Sequence, residues 1–137
     1  EEDSEAHRNA TRRMNRFNHL RHECCPLHAS LYSPALYYEQ VKVAEVGKGE
    51  IYVLIGRVDG QWVAGYEYYL KSRVGIMLPS LLGGCYSCRS DALLCMLGEI
   101  LDVLNPYGPM RIQLLNKVKE LVKQKRKHGN QASADSA

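Results

Sequence analysis

The chain has 137 residues, of which 45% are hydrophobic and 24% charged, and its formal net charge is +3. This composition is that of an ordinary globular protein, and the length suffices for one domain with a modest core. No apolar run approaches the roughly 20 residues of a membrane span, and the N-terminal region lacks the pattern of a signal peptide. We therefore predict a soluble, intracellular protein of the cytoplasm, which excludes a membrane protein.

The first predicted element is a short helix from Asn9 to Glu23, where Met14, Phe17 and Leu20 recur every three positions. Residues 1–8 are predicted to form a disordered acidic tip, and 129–137 a disordered tail. Residues 9–128 between them are predicted to form a single α+β domain. Its stretch 35–40, ALYYEQ, is compatible with either a helix or a strand.

Strands are predicted next, in the runs 41–46, 51–58, 62–70 and 74–78, which are β-rich and bounded by turn residues. Asp59-Gly60 lies between two of these runs, and both residues tolerate the positive φ of a two-residue hairpin turn. The pattern predicts a three- to four-stranded antiparallel meander.

Two helices complete the predicted fold. Ser90 and Asp91 are suited to the start of an apolar helix through Leu104, which covers the sheet and closes a core spanning 41–104. A basic C-terminal helix, 110–128, carries an apolar stripe made of Ile112, Leu115, Val118 and Val122.

The strand 62–70 places Trp62, Ala64 and Tyr66 on one face, because side chains alternate along a strand. We expect this face to meet the covering helix. The opposite face, with Tyr69 and Glu67, then remains for the terminal helices or for a ligand. If it is open and flanked by Arg57 and Arg73, it is suited to stacking bases.

Residues 50–104, approximately, contain a strand, an Asp-Gly turn, a Gly-x-Trp strand and a helix, in that order. The residues that carry this pattern are Gly60, Trp62, Tyr86, Ala92 and Leu93. This pattern resembles the Apetala-type DNA-binding domains, and its layout is similar to small DNA-handling modules of phage and plasmid proteins. The resemblance implies a three-stranded sheet with one helix, in a protein of mobile elements that binds DNA. In that family strand arginines enter the major groove, whereas this chain offers Arg57, Lys71 and Arg73.

Five cysteines in a chain without a secretion signal predict reduced thiols rather than a disulfide framework. We predict no cofactor. The alternative is a structural zinc site joining the segment HLRHECCPLH to CYSC, with candidate ligands His19, His22, Cys24, His28, Cys85 and Cys88.

Cationic residues concentrate near the two ends of the chain, which is suited to a polyanion or to an acidic protein partner. Solvated helix faces are the alternative interpretation. No residue pattern indicates catalysis, so we predict a protein that is not an enzyme. The predicted function is a nucleic-acid-binding or DNA-handling accessory module, with DNA the expected ligand and phosphate contacts from the basic terminal helices. The candidate binding residues are Arg8, Arg12, Arg13, Arg16, Arg57, Arg73, Lys117, Lys119, Lys123, Lys125, Arg126 and Lys127.

A protein-interaction module is the competing hypothesis. It would be an adaptor, an inhibitor or a homodimer that docks through the sheet face or the C-terminal helix.

Overall fold

A computed structural model of the chain describes residues 15–135, with side chains described through Lys127. Residues 1–14 and 136–137 lie outside the described residues. The predicted acidic tip and most of the predicted N-terminal helix are among them.

The centre of the fold is a four-stranded antiparallel sheet in the order β1-β2-β3-β4. Its strands are β1 (Tyr38–Val46), β2 (Gly49–Val58), β3 (Gln61–Leu70) and β4 (Arg73–Met77). The predicted meander is confirmed, and the ambiguous stretch 35–40 enters β1 at Tyr38. Asp59 and Gly60 turn with φ of 53° and 76°, the two positive values that such a hairpin needs.

Two helices follow the sheet, α1 (Arg89–Val103) and α2 (Pro109–Asp135), which makes the protein α+β. Cys88 is the N-cap residue of α1, so Ser90 lies inside the helix and does not cap it. Asp91 in the first turn instead forms an ion pair with Lys125 of α2. α2 extends past His128, where we predicted its end, although Gly129 follows directly and a glycine is common just after the last helical residue.

The core lies between α1 and the face of the sheet that carries Ile51, Val53, Ala64 and Tyr66. This is the face predicted from strand alternation to meet the helix. Trp62 is half-buried and packs at the margin of this core.

The opposite face of the sheet is covered in part by irregular chain, not by the terminal helices. Val63 is fully buried there, in a small cluster with Ala35, Val58 and Leu81. Asp59 anchors this covering, because its Oδ2 accepts hydrogen bonds from the backbone N–H groups of residues 27, 28 and 29 at 2.9–3.1 Å.

The described part of the predicted N-terminal helix is not α-helical. It contains one 3₁₀ turn, Asn18–Leu20, and then extended chain. The side chain of Asn15 explains the difference, because its Oδ1 accepts a hydrogen bond from the backbone N–H of Phe17 at 3.0 Å and so competes with helical hydrogen bonding. Its Nδ2 donates to the carbonyl of Cys95 in α1 at 2.9 Å, which docks the segment on that helix.

The predicted stripe of α2 is correct in its second half only. Val118 is buried and Val122 packs against the core, as predicted, but Ile112 and Leu115 are 59% and 38% exposed. In the first half of the helix Met110 and Leu114 are buried instead, because apolar residues lie on two neighbouring faces there.

Candidate nucleic-acid interface

The outer face of α2 carries four exposed cations, Lys119, Lys123, Arg126 and Lys127, which we call the basic ridge. Residues three, four, seven and eight apart lie on one face of a helix, so these four side chains project together. Within residues 15–127, none of the four forms an ion pair with a carboxylate. No carboxylate of the described residues therefore neutralises their charge.

The other cations predicted for α2 have different surroundings. Lys125 is paired with Asp91, and Lys117 is half-buried. Neither belongs to the ridge.

Three of the remaining predicted binding residues, Arg8, Arg12 and Arg13, lie outside the described residues. Arg16 lies over the Phe17 ring, with the guanidinium carbon 4.4 Å from its centroid.

Arg57 of β2 and Arg73 of β4 lie beside opposite ends of β3, paired with Trp62 and Leu70. Arg57 stacks on Trp62 at 4.3 Å, on the helix-covered side of the sheet, and Arg73 donates to the carbonyl of Leu104 at 2.9 Å. These two arginines therefore cannot flank a common base-stacking surface.

The open part of the sheet face is acidic at its centre. Glu67 is buried and accepts hydrogen bonds from Gln40 and from the Tyr69 hydroxyl, the latter at 2.9 Å. The hydrogen bond to Glu67 raises the pKa of Tyr69, and a bond to Glu50 does the same for Tyr52. Carboxylates at this position repel phosphate, which argues against the predicted stacking of bases on this face.

A groove that the sequence did not predict lies where three turns meet. It is formed by the β1–β2 turn, the β3–β4 turn and the loop between α1 and α2, and its volume is about 710 Å³. Lys48, Lys71 and Arg73 contribute the cations, and Leu70, Tyr107 and Met110 the apolar surface. We call it the basic groove.

The cysteine- and histidine-containing segments meet, but not as a set of metal ligands. His22 and Cys85 pair through backbone hydrogen bonds of 2.9 and 3.1 Å, and the Cys24 thiol donates to the carbonyl of Leu81 at 2.9 Å. Burial, with Cys85 next to it, raises the pKa of Cys24 to about 11. Across the described residues, no three His, Cys, Asp or Glu side chains are arranged to hold a metal ion.

The other zinc candidates are separated from this contact. His28 lies in the loop that Asp59 anchors, and the Cys88 thiol is 3.2 Å from the hydroxyl of Ser90. His19 lies in the 3₁₀ turn.

Compared with known proteins, the chain matches no protein-family model, no curated protein and no solved structure. In the described part of the chain, neither helix has an apolar stretch long enough to cross a membrane. The interpretation of the interface therefore depends on the residues themselves.

Proposed function

We propose that the protein is a non-catalytic nucleic-acid-binding module that contacts backbone phosphates through α2. The observation that carries this proposal is the basic ridge, four exposed cations on one helix face without carboxylate partners among the described residues. DNA is the expected ligand. The resemblance of the strand-turn-strand-helix order to small DNA-binding modules supports the same conclusion.

The chemistry of the ridge favours binding with little dependence on base sequence. Three of its four cations are lysines, which act as point charges on phosphates and release counterions when they bind. Bidentate reading of bases by arginine is limited on this face to Arg126. The ridge therefore supplies affinity and position rather than sequence recognition.

The test compares two double variants that remove equal charge. Lys119→Gln with Lys123→Gln removes two ridge cations, and Lys42→Gln with Arg89→Gln removes two cations that are already paired with Glu45 and Glu39. Binding of a fluorescent duplex of about twenty base pairs is measured by anisotropy. The ridge variant should bind about tenfold more weakly or worse, because it loses two charge-assisted contacts, while the control stays close to wild type.

If both variants lose the same duplex affinity, net charge alone determines binding and the ridge is not the binding surface. If neither the wild type nor either variant binds the duplex at low salt, the proposed nucleic-acid-binding function is wrong.

A protein-interaction role is the second candidate, and a specific feature of β4 favours it. β4 is an edge strand with Val74 and Ile76 exposed by 69% and 56%, and its extensive contacts are with β3 alone. The other edge, β1, is blocked at Glu45, because Gln113 of α2 hydrogen-bonds both the N–H and the C=O of that residue at 2.8 and 2.9 Å. An uncovered apolar edge is suited to adding a strand from a partner or from a second copy of the chain.

Sedimentation at micromolar concentration tests the second candidate. If Ile76→Lys converts a dimer into a monomer and leaves duplex binding intact, the edge is an interaction surface. A wild-type chain that stays monomeric would exclude self-association through β4.

A further inference from the structure

The basic groove differs from the other described cavities in its charge. Its three cations, Lys48, Lys71 and Arg73, have no carboxylate among the residues that line the groove with them. Two further cavities each include an acidic residue, Glu23 in one and Asp59 in the other. The groove therefore favours an anionic occupant.

The rest of the groove favours an occupant with a flat apolar part. Leu70 and Met110 contribute apolar surface. Met110 packs closely against Gly49, because a Cβ on Gly49 would lie only 2.9 Å from the Cε of Met110. Tyr107 is 89% exposed, although it lies between two prolines in a short loop. A volume of about 710 Å³ is within the range of small-molecule sites.

Two parts of the groove, Arg73 and the loop between α1 and α2, are held in place before any ligand binds. Arg111 donates hydrogen bonds of 3.3 Å to the Asn105 side chain and to the carbonyl of Pro106, which fixes the loop that carries Tyr107. Arg73 is fixed by its bond to the carbonyl of Leu104. Preorganisation of this kind lowers the entropy cost of binding.

We propose that the basic groove binds one nucleotide unit, with the phosphate on Lys48, Lys71 and Arg73 and the base against Tyr107. The proposal rests on the proposed nucleic-acid function and extends it by a second site, separate from the ridge. The same chemistry is present in a free mononucleotide and in one nucleotide of a single strand, and the experiment distinguishes the two.

The full chain is titrated with AMP, adenosine, inorganic phosphate and a single-stranded octanucleotide, and its backbone amide NMR signals are followed. AMP and the octanucleotide should shift the signals of Gly49, Leu70 and Met110, and adenosine and phosphate should each bind at least about tenfold more weakly than AMP. Tyr107→Ala should weaken AMP binding by about 5- to 100-fold, the range expected for loss of base stacking. Lys48→Gln with Lys71→Gln should weaken it at least as much, and both variants change exposed residues, so the fold is retained.

The two sources of the nucleotide give different orders of affinity. The comparison is made in the ridge variant Lys119→Gln with Lys123→Gln, which reduces the ridge contribution to octanucleotide binding. There, AMP binding as tightly as the octanucleotide identifies a free nucleotide as the ligand, whereas an octanucleotide at least about tenfold tighter identifies a single strand. Either order supports the site.

Three results would overturn the proposal: no groove shifts at millimolar AMP and octanucleotide, phosphate binding as well as AMP, or unchanged affinity in Tyr107→Ala. The ridge variant Lys119→Gln with Lys123→Gln separates this proposal from the proposed function. It should keep AMP binding while losing duplex affinity. Duplex binding without AMP binding would contradict the groove alone, and AMP binding without duplex binding would contradict the ridge alone.

Discussion

Arg21 and Glu99 form a buried ion pair that fastens the N-terminal segment to α1, with Nη2 of the arginine 2.7 Å from Oε1 of the glutamate. The two side chains are only 12% and 5% exposed. Nε of Arg21 also donates to the Tyr86 hydroxyl at 3.3 Å. One arginine thus connects the segment before the sheet with the segment that leads into α1.

Loss of one member of this pair should be strongly destabilising. Arg21→Met removes a charge-assisted hydrogen bond to the buried Glu99 carboxylate, so we expect the free energy of unfolding to fall by about 1.5–3 kcal/mol in urea titrations. The double variant Arg21→Met with Glu99→Leu removes both charges and should be more stable than either single variant. A double variant less stable than both would show that the pair is not the origin of the loss.

Gly98→Ala should detach the N-terminal segment even though alanine is the better helix former by about 1 kcal/mol. A Cβ at this position would be 2.1 Å from Oδ1 of Asn15 and 3.1 Å from the Phe17 ring. We expect faster hydrogen exchange at the Phe17 amide and lower stability. Gly83→Ala is the matched control, since its nearest neighbour would be 3.9 Å away, and it should be tolerated. Unchanged exchange at Phe17 in Gly98→Ala would contradict the docking of this segment.

Asp59 predicts a pH dependence of the loop that it anchors. Hydrogen bonds from the N–H groups of Ala29, Leu27 and His28 lower the pKa of this carboxylate. Because the pKa of Asp59 is lower in the folded state, its carboxylate stabilises the fold fully at pH values above the unfolded-state pKa of about 3.9. This stabilisation is lost as the pH falls through the folded-state pKa. The three amide proton signals should therefore titrate together with a midpoint below 3.9, and they should not titrate in Asp59→Asn. A midpoint at or above the unfolded value would contradict the anchor.

The thiols should differ in reactivity. With a pKa of about 11, only about one in a thousand Cys24 side chains is a thiolate at pH 8, so its alkylation should be slow and should rise about tenfold per pH unit. Cys25 is exposed and serves as the internal control, and mass spectrometry after timed iodoacetamide treatment measures both. We also expect well under one zinc ion per chain by elemental analysis. Equal rates at the two cysteines, or stoichiometric zinc, would contradict this description of the segment.

Much of the sheet could be predicted because its signals are local. Alternating apolar residues and the Asp59-Gly60 turn define the strands without reference to the rest of the chain. The apolar run that became α1 was equally visible, although its start was placed two residues late.

The errors arose where distant residues decide the structure. In the described part of residues 9–23, the Asn15 contacts with Phe17 and with α1 replace the helix that the spacing of Met14, Phe17 and Leu20 favoured. The basic groove joins residues near positions 48, 71 and 107, so no single stretch of sequence carries its pattern. The sequence shows a run of cations in α2, but it does not show which of them are paired. Lys125 is paired with Asp91 of α1, a contact that only the folded chain reveals.

The salt dependence of duplex binding tests the central claim most directly. If the four ridge cations each neutralise one phosphate, the logarithm of the association constant should fall with the logarithm of salt concentration with a slope of about −3.6. Lys119→Gln with Lys123→Gln should reduce the magnitude of that slope to about 1.8. A slope near zero, or the same slope in wild type and in this variant, would contradict phosphate binding by α2.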